Sequence, residues 1–423
     1  MSMPAAQDQT GQEHAGTPPY PRRFRSAERR GARIGRLLRV TAGVGRVDEA
    51  LLDQIGRRMM ARDAVAADLV RAMRRPGRAA GPAAEGRVTM AQFRTALEEG
   101  IEAVPGAPPA LARFFAEVER VPAWVDWDEL ERGARAVRRF GRTADDVLLQ
   151  LSLIGGYRFG GPPDLLVATG GLTGPGTMRR LGETALWSTS VIQPGAMRRD
   201  GQGFRLTVHV RLMHALLNDR FEADGRWDSG QWGLPVNQAD LASTLGLFSS
   251  TLLLGARALG WLVTPAESRA VMHLWKYIGW VMGVDEDWLF DTEREQNAFD
   301  YHILLAQSDV TPAGAALTGA LVAGEAALDH GWPRVIRDRY ARQRLLGMLT
   351  CFLGPAGVRD LGLPPTLPWA VPWVMAKNVV LSGVLARTRA GRRYLERSGD
   401  RYRTRRTGKL FGGEVPRIGA IPG

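Results

Sequence analysis

Apolar residues recur at steps of three and four along most of the 423-residue chain, which is the spacing of an amphipathic α-helix. The first clear case follows Val47, where Leu51, Ile55, Met59 and Leu69 keep this period. Strand signals are scarce, and the chain shows no internal repeat. The pattern therefore predicts an all-α protein.

Several predicted helices carry recognisable start signals. A Ser, Thr, Asp or Asn residue with Glu three positions later is typical of a capping box, and Pro is favoured at the first helical position. The candidate starts are Asp126 with Glu129, Asn237, and Thr264 followed by Pro265 and Glu267. The stretch "DTEREQNAFDYHILLAQ" predicts another long helix.

One segment alternates instead of following the helical period. In "GFRLTVHV", Phe204, Leu206 and Val208 fall at every second position, which favours a short strand. A strand here would leave His209 near a junction between strand and helix.

Composition divides the chain into four parts. Residues 1–45 are rich in Pro, Gly, Gln and Arg and predict a disordered basic tail. Residues 46–85 predict a helix and a linker, "PGRAAGPAAEG", while residues 86–395 predict one helical domain. Residues 396–423 form a second basic stretch that predicts a solvated tail.

The most apolar run, "LASTLGLFSSTLLLGA", spans residues 241–256 and stops at Arg257. It is short for a membrane span and rich in Gly, Ser and Thr, so it favours a helix buried in the core. No signal peptide is apparent near the first residues, because the paired arginines there are followed by a charged segment. The sequence thus predicts a cytoplasmic protein without a transmembrane segment.

Charge and cysteine content exclude some functions. Cys351 is the single cysteine, which excludes an internal disulfide framework and a CxxC site. The net charge is +12, and only three of the 56 basic residues are lysines. Arginine-rich ends could contact nucleic acid, but no recognition motif accompanies them. We therefore favour the interpretation of these ends as solvated tails over specific nucleic-acid binding.

Two of the six histidines lie in apolar company, within "VHVRLMHALLNDR". On a helix with about 100° per residue, His209 and His214 flank one apolar face. His214 neighbours Val210 and Leu217 on one side and Arg211 on the other. It is either a core histidine bonded to a carbonyl or a metal ligand. Zinc needs more ligands than the sequence offers, whereas a haem iron needs one histidine, an apolar wall and a cation.

A second polar cluster lies upstream, in "MRRLGETALW". Arg180, Glu183 and Thr184 occupy positions i, i+3 and i+4, so they share a helix face. They could form a solvated face with an ion pair, or line a pocket with a cation, a carboxylate and a hydroxyl. The preceding "GGPPDLLVATGGLTGPG" lacks the phosphate-binding spacing of a P-loop.

These stretches together resemble a known family. In order along the chain they are "VPAWVDWDELERGARAVRRFG", "RRLGET", "VRLMHALLNDR", "GLPVNQADLASTLGLFSSTLLLGARALGWLVTPAE" and "WKYIGWVMGVDEDWLF". In these stretches, the chain resembles the latex-clearing protein (rubber oxygenase) group of the MpaB-type oxygenase family. The resemblance covers residues 50–330.

The resemblance implies a globin-like helical core with additional N- and C-terminal helices, holding one haem b. It places the proximal ligand on His214 and leaves His209 as a structural residue. The residues of the other haem face fall on Arg180 and Thr184, with Arg211 and Arg180 as cofactor-binding cations. Glu183 stands where rubber-cleaving members tend to carry lysine. Asp164 is the nearest match to their catalytic base, although it could equally cap the helix after "GGPP".

The resulting hypothesis is a haem b-dependent oxygenase that uses O2 to oxidise, and cleave, a C=C bond of an apolar isoprenoid or terpenoid substrate. A cytoplasmic location favours a small substrate over a rubber polymer. The alternative is a haem-binding protein without turnover, serving as a sensor or store. The sequence leaves the oligomeric state open.

Overall fold

Every regular element is a helix within residues 19–74, 86–170, 176–328 and 333–416, which are the residues that this computed structural model describes. The all-α prediction is confirmed. The helices of the N-terminal half are Glu28–Ile34 (α1), Arg36–Ala42 (α2), Glu49–Arg58 (α3), Ala64–Arg74 (α4), Met90–Glu99 (α5), Pro109–Val118 (α6), Trp127–Phe140 (α7), Arg142–Val147 (α8), Pro162–Ala168 (α9) and Gly176–Ser190 (α10). Leu148–Ile154 continues α8 as a π-helix.

The later helices are Gln202–Asp224 (α11), Ser229–Trp232 (α12), Gln238–Phe248 (α13), Ser250–Ala258 (α14), Pro265–Met282 (α15), Glu293–Ala306 (α16), Pro312–Ala327 (α17), Arg334–Asp360 (α18), Ala370–Gly383 (α19) and Arg389–Leu410 (α20). Three 3-10 turns, Ile101–Ala103, Glu286–Trp288 and Leu385–Arg387, join neighbouring helices. Helix α18 contains a kink at Gly354, where φ is +71°.

The predicted helix starts are confirmed. Thr264 forms a reciprocal capping box with Glu267, and Asn237 accepts a hydrogen bond from the backbone N–H of Asp240. Asp126 caps α7 by accepting from two backbone N–H groups, but its own N–H donates to the Nε2 of His273 rather than to Glu129. A residue from α15 thus completes the cap of α7.

Helices α7 and α15 form the most intimate pair in the core. Gly133 of α7 lies so close to Ala270 of α15 that a Cβ at Gly133 would collide with the Ala270 carbonyl. Helix α11 lies beside α15 and also contacts α4 and α10. This arrangement places α11 centrally, with neighbours on more than one side.

The predicted strand at residues 204–208 is wrong, because this segment is part of α11. Its buried positions include Phe204, Thr207, Val208, Arg211 and Leu212, at steps of three and four. Since helices cover α11 on several sides, apolar residues occur all around it and produce a local alternation by coincidence.

The predicted mobile tails are wrong for the described residues. Helices α1 and α2 occupy residues 28–42, and α20 continues to Leu410. Arg23 is fully buried and pairs with Asp240 at 2.6 Å, while Arg403 donates to the carbonyls of Val137 and Arg138. These two arginines are therefore packed against specific acceptors. Residues 1–18 and 417–423 lie outside the described residues, as does most of the predicted linker.

The apolar run forms two helices, α13 and α14, which break at Ser249. Residues Gln238–Ala258 are long and apolar enough to cross a membrane by length and composition, with a mean hydropathy of 1.3. Of the most apolar window, 56% is buried against the rest of the protein. The burial agrees with the prediction of core helices.

Candidate functional site

Helix α11 carries His214 between two different flanks. Arg211 and Asn218, on one side, are buried and hydrogen-bonded. Val210 and Leu217, on the other side, are only half-buried. The imidazole therefore lies at the boundary between a fixed polar region and an apolar surface that helices cover incompletely.

Arg211 is held by two carboxylates from distant parts of the chain. Its guanidinium lies 2.5 Å from Asp63 Oδ2 and 2.5 Å from Glu117 Oε1, and it is 3% exposed. Asp63 also accepts from the backbone N–H of Ala66 at the start of α4. Arg211 thus ties α11 to α4 and α6, and its predicted contact with a cofactor stays a prediction.

Burial keeps the imidazole of His214 neutral. Its Nδ1 is buried without a hydrogen-bond partner. Desolvation lowers the pKa of His214 to about 4, the positive charge of Arg180 lowers it further, and Asp63 opposes both. A neutral imidazole has a free lone pair on one ring nitrogen, which is the form that ligates a metal.

Helix α10 runs antiparallel to α11 and faces it. The indole N–H of Trp187 donates to the Thr207 hydroxyl at 3.0 Å. Arg180 precedes Trp187 on α10 by seven residues, which is about two helical turns. His214 follows Thr207 on α11 by the same number. The electrostatic effect of Arg180 on His214 agrees with this register. The two predicted clusters are therefore brought together.

The α10 cluster keeps internal contacts. Arg180 pairs with Glu183 at 3.1 Å, and Thr184 donates to the Arg180 carbonyl at a long 3.4 Å. Thr184 is exposed, and the Arg180 side chain is 48% exposed, whereas that of Glu183 is 12% exposed. The structure thus leaves a cation and a hydroxyl accessible beside the histidine, with the carboxylate paired to the cation.

Three aromatic side chains close the far end of the α10–α11 pair. Trp187 contacts Phe248 edge-on at 5.4 Å, and Phe248 stacks on Trp275 at 5.1 Å. The indole Nε1 of Trp275 is buried without a partner. Sequence reasoning missed this cluster, although Trp187 lies on the same helix face as Arg180. Phe248 and Trp275 carried no comparable signal.

Asp164 lies in a different setting. It is the third residue of α9, where its Oδ2 accepts from the backbone N–H of Gly161 at 2.9 Å and from the Thr311 hydroxyl at 3.1 Å. These contacts cap α9 and join it to the start of α17. Of the two roles left open for Asp164, the structure displays the cap, and the catalytic role stays a prediction.

A pocket opens on the polar flank of His214. Its volume is about 90 Å³, and its walls include Asp63, Arg211, His214, Asn218, Leu241 and Met282. Pockets for drug-sized ligands usually measure about 300–1,000 Å³, so this one admits water or a small ion rather than a macrocycle. The apolar flank of His214, with Val210 and Leu217, lies on the other side of the imidazole.

The residues on that flank fit a haem. An imidazole with an unpartnered ring nitrogen, the half-buried Val210 and Leu217, and the accessible cation of Arg180 are the groups that iron, macrocycle and propionate require. Within the described residues, no cluster of three or more His, Cys, Asp or Glu could hold a bare metal ion. His209 lies about 140° around α11 from His214, on the side of Val210 and Leu217.

Comparisons with known proteins agree with the fold. Residues 164–390 match the model of a family described as ER-bound oxygenase mpaB/B'/Rubber oxygenase, catalytic domain. The rubber oxygenase of Streptomyces sp. (strain K30) is 26% identical over 260 residues, covering 60% of this chain and 63% of that protein. The match thus spans less than two thirds of that relative. The structure of latex clearing protein LCP in the closed state superposes with a TM-score of 0.59 at 21% identity, over 81% of this chain and 88% of that one.

Proposed function

The chain belongs to the family of ER-bound oxygenase mpaB/B' and rubber oxygenase catalytic domains, and from this premise we propose that it is a haem b-dependent oxygenase. The proposed reaction uses O2 to cleave a C=C bond of an apolar isoprenoid or terpenoid into two carbonyl products. Both oxygen atoms of O2 then enter the products, so no external reductant is consumed.

One observation carries the proposal. His214 is a neutral imidazole with an unpartnered Nδ1, and it faces the helix that carries Arg180 and Thr184. Within the described residues, no group forms a hydrogen bond with this nitrogen. The arrangement supports the proposal because an imidazole, a cation and a hydroxyl come from two consecutive helices.

Each residue has a distinct task in the proposed site. The haem, when bound, supplies the redox chemistry with O2. His214 would hold the iron, Arg180 would offer its charge to a propionate, and Thr184 would offer a hydroxyl that donates or accepts a hydrogen bond. Glu183, paired with Arg180 at 3.1 Å, is the group in this cluster that can accept a proton.

The surroundings suit an apolar substrate. Val210 and Leu217 are half-buried on one wall, and the Trp187–Phe248–Trp275 cluster closes the end. Apolar walls favour a hydrocarbon chain because its transfer from water is favourable. The name of the relative from Streptomyces, rubber oxygenase, supports an isoprenoid as the substrate class.

Glu183 favours one alternative, a haem-binding protein without turnover. It is a carboxylate at the position where the resemblance leads one to expect lysine, and its pairing with Arg180 neutralises that cation. Such a protein would bind haem and O2 without forming products. Product analysis separates the two functions.

The first test is the cofactor. We expect the purified protein to show a Soret band and, in a pyridine haemochrome assay, one haem b per chain. His214→Ala should lose the haem, because no other described side chain replaces the ligand, whereas the control His209→Ala should retain it. A His214→Ala protein that keeps a full complement of haem with an unchanged spectrum would refute the assignment.

The second test is turnover. We expect Thr184→Ala and Arg180→Ala to retain haem and to form carbonyl products from an oligo-isoprenoid such as squalene at least about tenfold more slowly, which is about 1.4 kcal/mol of transition-state stabilisation. Arg179→Ala, the neighbouring exposed arginine, is the control. Haem binding without products in the wild type would favour the alternative.

A further inference from the structure

Helix α19 presents an apolar face to solvent, far along the chain from the residues of the proposed site. Four large exposed side chains fall within about 60° of one another around α19 and its two cap residues, and they form this α19 face: Trp369, Trp373, Val380 and Val384. Trp373 is 74% exposed and Val380 is 55% exposed. Single exposed apolar residues are ordinary, but a contiguous set of this kind marks a binding surface.

The opposite side of α19 is anchored in the protein. Val371 and Val374 are buried, Asn378 donates to the Leu259 carbonyl at 2.8 Å, and the Ser382 hydroxyl accepts from the Leu262 N–H at 3.1 Å. The helix is therefore fixed in orientation, and its apolar face is exposed by the fold rather than by detachment of the helix.

The charged side chains of the segment that carries the α19 face are all positive. Residues 361–395 contain five basic side chains and no Asp or Glu. Lys377, Arg387, Arg389 and Arg393 are exposed. An apolar helix face with tryptophans and a cationic border is the composition of helices that lie in the interface of a bilayer.

We propose that the α19 face docks on an anionic lipid bilayer. The helix has 14 residues, whereas a span needs about 20, so it would lie in the plane of the interface. Trp369 and Trp373 would enter the headgroup region and Val380 the acyl boundary, while the cations meet anionic headgroups. Basic residues near such a surface are attracted by its anionic lipids.

A second copy of the chain is the less suitable occupant. A twofold contact through the α19 face would bring two sets of basic side chains together with no acidic residue of the same segment between them. Like charges facing each other across an interface disfavour association. A bilayer instead provides an apolar layer and negative charge in the same place.

The test is flotation of the full chain with vesicles of phosphatidylcholine containing one quarter phosphatidylglycerol. We expect the wild type to float with these vesicles, less so at high salt, and poorly with phosphatidylcholine alone. The double variant Trp373→Ser, Val380→Ser should bind at least about tenfold more weakly, because it removes two large apolar groups from the face. Circular dichroism and thermal unfolding verify its fold.

The matched control is Leu37→Ser with Val40→Ser on α2, where both side chains are as exposed, at 67% and 76%. It should float like the wild type. A wild type that stays with the pellet, or a Trp373→Ser, Val380→Ser protein that floats equally well, would overturn the proposal. Sedimentation equilibrium completes the test, because a wild-type dimer that this variant abolishes would assign the face to a second copy. Vesicle binding needs no haem, so failure here is distinct from failure of the proposed function.

Discussion

At the scale of single residues, two titratable groups with shifted pKa values oppose each other in their pH dependence. Burial lowers the pKa of His214 to about 4 and raises the pKa of Asp300 to about 7. For His214 the unfolded chain binds the proton more readily, so acidification below the ordinary histidine pKa destabilises the fold. For Asp300 the folded state binds the proton more readily, so stability is lost as the pH rises from about 4 to 7.

Asp300 bears this cost because its partners are neutral. Gln296 donates to its Oδ1 at 2.9 Å and Ser250 to its Oδ2 at 3.0 Å. These hydrogen bonds favour the charged form, but they offset the desolvation only in part. Gly246 on α13 lies against the carboxylate, and a Cβ there would be 2.5 Å from Oδ1.

We therefore expect Asp300→Asn to stabilise the protein at pH 8, by up to about 4 kcal/mol if the whole pKa shift is recovered. The amide keeps both hydrogen-bonding contacts and carries no charge to desolvate. Urea unfolding of both proteins between pH 4 and 8 measures the effect. Asp309→Asn, at a 69% exposed carboxylate, should leave the profile unchanged. Equal profiles for wild type and Asp300→Asn would contradict this account.

At the scale of elements, the position of α11 depends on one buried arginine. Arg211 joins α4 and α6 through Asp63 and Glu117, which lie 148 and 94 residues earlier in the sequence. Gly283, the left-handed cap of α15, packs against the same group, and a Cβ there would lie 2.5 Å from Asp63 and 2.6 Å from Arg211 Nε. Four helices thus meet at one guanidinium.

Removing that guanidinium should be costly. We expect Arg211→Met to lower the free energy of unfolding by about 3–5 kcal/mol, because two carboxylates lose their cation in a desolvated site. Arg226→Met is the control, since Arg226 is also paired with a carboxylate but is 53% exposed, and its loss should cost less than about 1 kcal/mol. Similar losses for both variants in urea unfolding would show that Arg211 is not a structural tie.

At the scale of the whole molecule, the sequence predicts helix caps but not contacts between distant residues. The caps at Asn237 and Thr264 each involve a partner three positions later in the sequence, so the sequence predicts them directly. The expectation that Arg180 and His214 lie close together rests on the family resemblance, because the sequence of neither helix indicates how the two helices align. Glu117 carried no signal at all.

The arginine-rich ends show why composition misled the prediction of tails. A count of charges does not reveal that Arg403 meets the last carbonyls of α7, where a cation is favoured by the helix dipole. Burial lowers the pKa of Arg403 to about 10, and the guanidinium still stays charged at neutral pH. Such contacts depend on residues more than 260 positions apart.

The ion pairs of Arg211 also show that the segment shared with the family differs from the part of the chain that folds as a unit. The segment that matches the family model is 164–390, yet the carboxylates that pair with Arg211 lie upstream of it and the helix of Arg403 continues beyond it. A fragment limited to this segment would contain the buried Arg211 but neither Asp63 nor Glu117, the two carboxylates that pair with it. The smallest part of the chain that could be transferred into another protein must therefore keep Arg211 with its carboxylates. The bounds of the family match alone do not define it.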